Sequence, residues 1–198
     1  KQEIVSVNDL QSMFTFERVN KKSAVFDMKK LGWINSEYIK ITEPEALLPQ
    51  IKEVISRLEI PFADTAENYA LLLSVISLMK ERVQTVNEFV TYGKYFFVDP
   101  VTYDEKGLHK HWTPEIKDHF KSYTNELNSI ESWNAEFLEQ HLREYAERSG
   151  LKAGQLVHPL RLALTGQSVS PGIFEVMVVL GRNTTINRIS AFLSRNPD

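Results

Sequence analysis

The stretch Ile173-Phe174-Glu175-Val176-Met177-Val178-Val179-Leu180 is apolar at every position but one, and it stands between Ser170-Pro171-Gly172 and Gly181. Proline is favoured in the first turn of a helix and glycine just past its end, so these flanks mark a helix from Pro171 to Leu180 with Ser170 as N-cap. A helix that is apolar almost all round has no solvent face and must lie in the middle of a domain. Its N-terminus, with free N–H groups and the positive end of the dipole, is the one part that a ligand could reach. Such a start can equally be nothing more than a capped end.

Helix punctuation continues along the chain. Thr42-x-x-Glu45 with Pro44 reads as a capping box opening a helix to Leu58, which Pro49 should break or bend. Asp64-x-x-Glu67 caps a second helix whose apolar set Tyr69, Leu72, Leu73, Val75, Ile76 and Met79 recurs at helical spacing. Thr85-x-x-Glu88 caps a third, ending near Tyr92-Gly93. Tyr95-Phe96-Phe97-Val98 is too short for a helix and reads as an extended turn that plugs a core. Thr113-Pro114-Glu115 opens a fourth helix, and a fifth runs from about Ser132 to Glu147 before Ser149-Gly150. Short helices follow from Pro159 to Thr165 and Thr185 to Ser194, on either side of the one described above. The segment from Lys22 to Ile39 is the exception, with Ala24-Val25-Phe26 and Trp33-Ile34-Asn35 reading as extended pieces around a short basic helix. No repeat recurs at a solenoid period. The expectation is an all-α chain with an irregular N-terminal piece.

Composition removes several function classes. The 198 residues contain no cysteine, which excludes disulfides and thiolate sites and fits a reducing compartment. No apolar run reaches the roughly 18–20 residues of a membrane span. Lys1-Gln2-Glu3-Ile4 has neither an initiator Met nor a signal core, so an excised piece of a longer protein is expected. The net charge of −3 is unevenly shared: residues 151–198 hold five basic side chains against Glu175 and Asp198, a net of +3, which leaves −6 on residues 1–150. A local basic surface on an acidic body can still hold a polyanion, because screening limits distant charge beyond about 10 Å.

Catalytic templates fail. Neither a G-x-G-x-x-G nor a Walker loop occurs, nor a serine nucleophile elbow. His109-Lys110-His111 reads as a solvated polar turn without a third ligand, and His119 and His141 stand alone on helices, so no metal site and no catalytic residue are expected. What remains is arginine and aromatic placement. Arg161, in Leu160-Arg161-Leu162-Ala163-Leu164, looks too buried to lack a fixed partner, either an internal carboxylate or a nucleic-acid base or phosphate. Arg82 follows a helix end, where dipole compensation is ordinary. Trp33 with Lys29 and Lys30 reads as a backbone-contact patch or as simple core.

Three segments together carry a resemblance. Phe26-Asp27-Met28-Lys29-Lys30-Leu31-Gly32-Trp33-Ile34-Asn35-Ser36-Glu37-Tyr38-Ile39 resembles the F-D-x-x-K-L-x-W-x-N-x-x-Y-I stretch of bacterial-type glutamyl-tRNA synthetases. Leu78 to Thr85 resembles their L-x-K-x-R-x-x-T junction. Pro159-Leu160-Arg161 through Ser170-Pro171-Gly172-Ile173-Phe174-Glu175 resembles their P-L-R-x-A-L-T-G…S-P-G-x-F-E signature. They come in family order and cover nearly the whole chain.

The resemblance implies an all-α helical cage that receives an anticodon loop, with a short irregular stem-contact remnant before it. It divides the chain into residues 1–43, the tail of a stem-contact region, and 44–198, the anticodon-binding part, itself split, if at all, near residue 103. It puts Arg82 near the third anticodon base, and in the family an arginine there is linked to telling glutamate anticodons from glutamine ones. Arg161, Ser170, Pro171 and Ile173 fall around the other bases, and Lys30 and Trp33 on the stem side. Loop bases are read splayed out, by arginine donors, main-chain groups and packing, which suits this set. The family's HIGH-like and KMSKS-like ATP-binding motifs are expected upstream of Lys1, so the chain needs no cofactor, while the longer enzyme is expected to use ATP and Mg²⁺ to attach glutamate to tRNA-Glu. A cytoplasmic monomer that binds tRNA-Glu, and neither DNA nor membrane, is expected. The alternatives are a helical protein–protein interaction module and a non-catalytic synthetase paralogue.

Overall fold

Asp27, Thr65, Asp104, Thr113 and Asn134 each accept a first-turn backbone N–H, and these side chains fix where the helices after them begin. The computed structural model describes residues 4–18 and 25–196, so the expectations for Lys22 and Ala24 lie outside the described residues. Among these residues are eleven α-helices and no strand: α1 (Val7–Met13), α2 (Met28–Ile41), α3 (Pro44–Arg57), α4 (Ala66–Met79), α5 (Val86–Thr91), α6 (Glu105–His111), α7 (Pro114–Leu127), α8 (Ala135–Arg148), α9 (Gly154–Thr165), α10 (Ile173–Leu180) and α11 (Arg182–Arg195). Two short 3₁₀ turns, Phe16–Arg18 and Lys94–Phe96, complete the set. The all-α expectation holds.

Several local expectations do not. Trp33-Ile34-Asn35 is helical, inside α2, because the Asp27 carboxylate caps the N–H groups of Lys29 and Lys30 and starts one continuous helix. The Thr42 hydroxyl donates to the Tyr38 carbonyl at 2.6 Å and closes α2 instead of capping α3. Thr65, not Asp64, caps α4, and Asp64 pairs with Lys52 at 2.6 Å. The capping box at Thr85 does not form: the Thr85 side chain caps nothing, and the Glu88 carboxylate accepts the N–H of Gln84, one residue before the cap, at 2.6 Å. Tyr95 and Phe96 do plug the core, in a 3₁₀ turn and not an extended one. His109-Lys110-His111 forms the last turn of α6.

Pro49 neither breaks nor ends α3. It lies on the exposed side of the helix, where the carbonyl freed by its missing N–H can turn to water. On the other side Leu47, Leu48, Ile51, Val54 and Ile55 are buried.

Helix α10 touches α4, α8, α9 and α11, a central position, but against expectation it keeps a solvent face, where Glu175 and Val178 are exposed. Helix α9 packs on α6, α7, α10 and α11, while α3 packs on α4 and α5. One set of buried side chains runs from Ile39 through Phe89, Phe120 and Leu160 to Phe192. The single residue Gly181, at φ +78°, turns the chain from α10 into α11.

Polar ties fix the loop from residue 98 to 104 against this core. The buried Arg188 guanidinium donates to Asp99 at 2.7 Å and to the Leu164 carbonyl at 2.8 Å. The Asp104 N–H donates to the Gly166 carbonyl at 2.9 Å. Gly166 sits at φ +74°, and a β-carbon there would come within 2.6 Å of the Thr102 carbonyl oxygen. Glycine is what lets the loop and the end of α9 approach this closely.

Candidate nucleic-acid interface

A cleft of about 370 Å³ opens between the turn after α4 and the loop before α10. Arg82, Tyr92 and Tyr95 face Val169, Ser170 and Pro171 across it. The fold thus brings together Arg82 and the Ser170-Pro171 pair, which are far apart in sequence. The Arg82 side chain is exposed, while its neighbour Val83 is buried and anchors the turn from below.

Arg161 stands behind the opposite wall. Its Nη1 group donates to the Pro171 carbonyl at 2.8 Å, to the Ser170 carbonyl at 3.3 Å and to the Ser170 hydroxyl. The Ser170 hydroxyl in turn donates to the Pro171 carbonyl at 2.8 Å. Within the chain the partner of Arg161 is not a carboxylate but the Ser170-Pro171 loop, through two carbonyls and the Ser170 hydroxyl. Neutral carbonyls leave the charge uncompensated, and Arg161 holds its positive potential beside the cleft. Burial pulls the guanidinium pKa down, the Tyr95 phenol offsets this, and the Arg82 charge adds to it. An arginine remains charged throughout.

Ser170 is not the N-cap of α10. Gly172 is, without a side-chain cap. A β-carbon on Gly172 would lie 2.0 Å from a Glu175 carboxylate oxygen, so the helix start already has an acid folded over it. This takes away the open N–H cradle expected there. Pro171 is buried, and Ile173 is 2% exposed, so its side chain belongs to the core.

Lys30 and Trp33 lie on α2, both exposed, Trp33 at 41%. Helix α2 reaches the cleft indirectly by bracing the turn that carries Arg82. The Asn35 amide donates to the Gln84 carbonyl, Lys40 lies 4.0 Å from Glu81, and a β-carbon on Gly32 would meet the Gln84 side chain at 2.7 Å.

The sequence reading missed Tyr92, Tyr95, Gln167 and Val169, which also line the cleft. One signal was there: a phenol at Tyr95 inside an otherwise phenylalanine-rich core segment. The histidines were underestimated too. His111 stacks on His158, with ring centroids 4.0 Å apart and planes at 18°, one turn before Arg161. Among the described residues no group of three or more metal-ligating side chains forms, and no helix is long and apolar enough to cross a membrane.

Comparison with known proteins agrees with the fold. A glutamate–tRNA ligase from Pelodictyon phaeoclathratiforme is 40% identical over 96% of the chain, and one from Moorella thermoacetica is 35% identical over the same share. The chain spans 39% of the length of either relative. A crystal structure of a glutamate tRNA ligase from Elizabethkingia meningosepticum superposes on 98% of the chain with a TM-score of 0.86 at 32% identity, the match covering 37% of that protein. One from Elizabethkingia anophelis gives 0.81 at 30%, again over 98% of this chain and 37% of that one. The profile of the family described as anticodon binding domain matches residues 40–193, the whole span from the end of α2 through α11 up to Leu193, and the chain belongs to that family.

Proposed function

We propose that this chain is the tRNA-binding C-terminal part of a glutamate–tRNA ligase and that the cleft between Arg82 and Ser170-Pro171 reads the anticodon loop of tRNA-Glu. The observation that carries the reading is the meeting of Arg82 and the Arg161-held loop across one cleft. Two guanidiniums, exposed main chain and an aromatic wall make up a site for unstacked bases. Arg82, free to move at the mouth, reads the third base. Arg161 acts by holding the Ser170 and Pro171 carbonyls, so that the two residues line the cleft as a fixed wall against which the other bases pack, while Ile173 supports them from the core. Lys30 and Trp33 meet the stem, on the side where α2 leaves the cleft.

The longer enzyme, on this reading, uses ATP and Mg²⁺ to attach glutamate to tRNA-Glu and works as a cytoplasmic monomer. The relatives compared above are glutamate–tRNA ligases by name, which supports the ligase part of that extension. An interaction module is disfavoured by the match of residues 40–193 to the anticodon binding domain.

The test is equilibrium binding of tRNA-Glu and of unrelated tRNAs to the chain at matched salt. Preference for tRNA-Glu is expected, weakening as salt rises. Arg82→Gln should reduce discrimination at the third anticodon base by about 5- to 100-fold while leaving the other two positions in place. Equal binding of all tRNAs by the unaltered chain would remove the reading.

A further inference from the structure

Tyr95 is 3% exposed, and its hydroxyl has no hydrogen-bond partner among the described residues. A buried polar group without a partner is rare in a folded protein and weakens it. Nothing in the packing calls for the oxygen. The ring lies 4.5 Å from Phe96, and Phe89 and Phe97 around it do without one. Phenylalanine would serve the core at least as well.

The position of this hydroxyl explains its retention. Tyr95 lines the cleft under Arg82, and it also lines a second one of about 230 Å³ bounded by Lys94, Pro100, Thr102 and Gly166. Gln167 borders both as well, so the two adjoin as parts of one groove at Tyr95 and Gln167. The Arg161 and Arg82 charges both act on the phenol.

We infer that the Tyr95 hydroxyl is a recognition group, donating its hydrogen bond to a carbonyl oxygen of an anticodon base that enters the groove between Arg82 and Gln167. This rests on the anticodon-reading proposal above and adds to it a neutral, buried donor at the back of the site. Burial pushes the phenol pKa up to about 12, against the downward pull of the two arginines, so the group is a neutral donor at physiological pH. A base carbonyl suits such a donor, because a base can lose its hydration at little cost. A phosphate would have to give up its water to reach the same depth, and the exposed Arg82 meets it more readily. The protein accepts a destabilising orphan hydroxyl, closed to solvent in the free chain, in exchange for a contact that the entering base completes.

Tyr95→Phe removes the oxygen and keeps the ring. Melting temperature and binding of tRNA-Glu and unrelated tRNAs should be measured on the chain and this variant together. The variant should melt at the same temperature or higher, bind tRNA-Glu about 5- to 100-fold more weakly, and bind unrelated tRNAs unchanged. Unchanged tRNA-Glu binding would overturn the role of the hydroxyl while leaving anticodon reading intact. Equal loss on every tRNA would mean a phosphate contact and overturn the assignment to a base. A lowered melting temperature accompanying the loss would make the hydroxyl structural, which also overturns it. If the unaltered chain shows no preference for tRNA-Glu, the underlying reading fails instead.

Discussion

The stacked pair His111 and His158 is the titratable feature of the fold with the clearest consequence. Burial is the first cause that lowers both imidazole pKa values below 6.5. For His111 the charges of His158 and Lys110 add to it, and for His158 those of Arg161 and Lys110. The folded chain therefore resists protons that the unfolded chain accepts. Stability from the neutral pair is fully present above pH 6.5 and is lost as pH falls below it. The carboxylates with lowered pKa, Asp104 and Glu67 among them, add their own losses at lower pH, below their ordinary 3.8 and 4.5. The melting temperature should fall between pH 7 and pH 5, and His111→Phe, which keeps a ring in the stack, should flatten that slope. A profile identical in the variant would assign the slope elsewhere. In the sequence His109-Lys110-His111 looked solvated, because nothing local to those residues announces that His158 arrives from another helix. The same holds for Arg161. Its need for a partner could be read from Leu160 and Leu162 around it, but the partner is a backbone that the fold alone delivers.

Helix ends were legible where one side chain decides them and illegible where two compete. Thr113 and Gly166 ended or began helices as their chemistry requires, since no neighbour offered an alternative. Asp64 lost the cap of α4 to Thr65 because Lys52 claimed its carboxylate, a contact twelve residues away in sequence. Pro49 shows burial overruling a local preference. An interior proline costs a helix about 3 kcal/mol, and α3 continues because five buried side chains on its inner face are each worth about 1.5–3 kcal/mol. Pro49→Ala should restore the hydrogen bond to Glu45 and stabilise the chain by about 1–3 kcal/mol, less the entropy that proline removes from the unfolded state. Urea unfolding at constant m-value measures it, and a destabilised variant would mean that the proline is accommodated without cost.

On the scale of the whole molecule, the all-α class and the centrality of α10 followed from hydrophobic pattern alone, because a helix with no polar side admits few environments. The groove did not follow. Its walls come from α4, the Lys94–Phe96 turn and the loop before α10, and pattern cannot say which helices will be neighbours. Resemblance supplied Arg82 and Ser170 but not Tyr95, whose significance appears in three dimensions as an oxygen left over. The N-terminal α1 also stands apart: Leu10, Met13 and Phe14 are exposed and no residue of the helix is buried.

The enclosure of α10 by four other helices has a kinetic consequence. Its amides at Val176 and Met177, both buried and both inside the hydrogen-bonded helix, should exchange with deuterium only when the entire domain opens. Any ligand that binds the folded chain alone slows that opening equilibrium by one plus the ratio of its free concentration to its Kd. With tRNA-Glu at a hundredfold excess over Kd, these amides should exchange about a hundredfold more slowly, although they make no contact with the RNA. Helix α1 should exchange at an unaltered rate in the same sample. A helix held among four others thus becomes a clock for events at the surface of the protein.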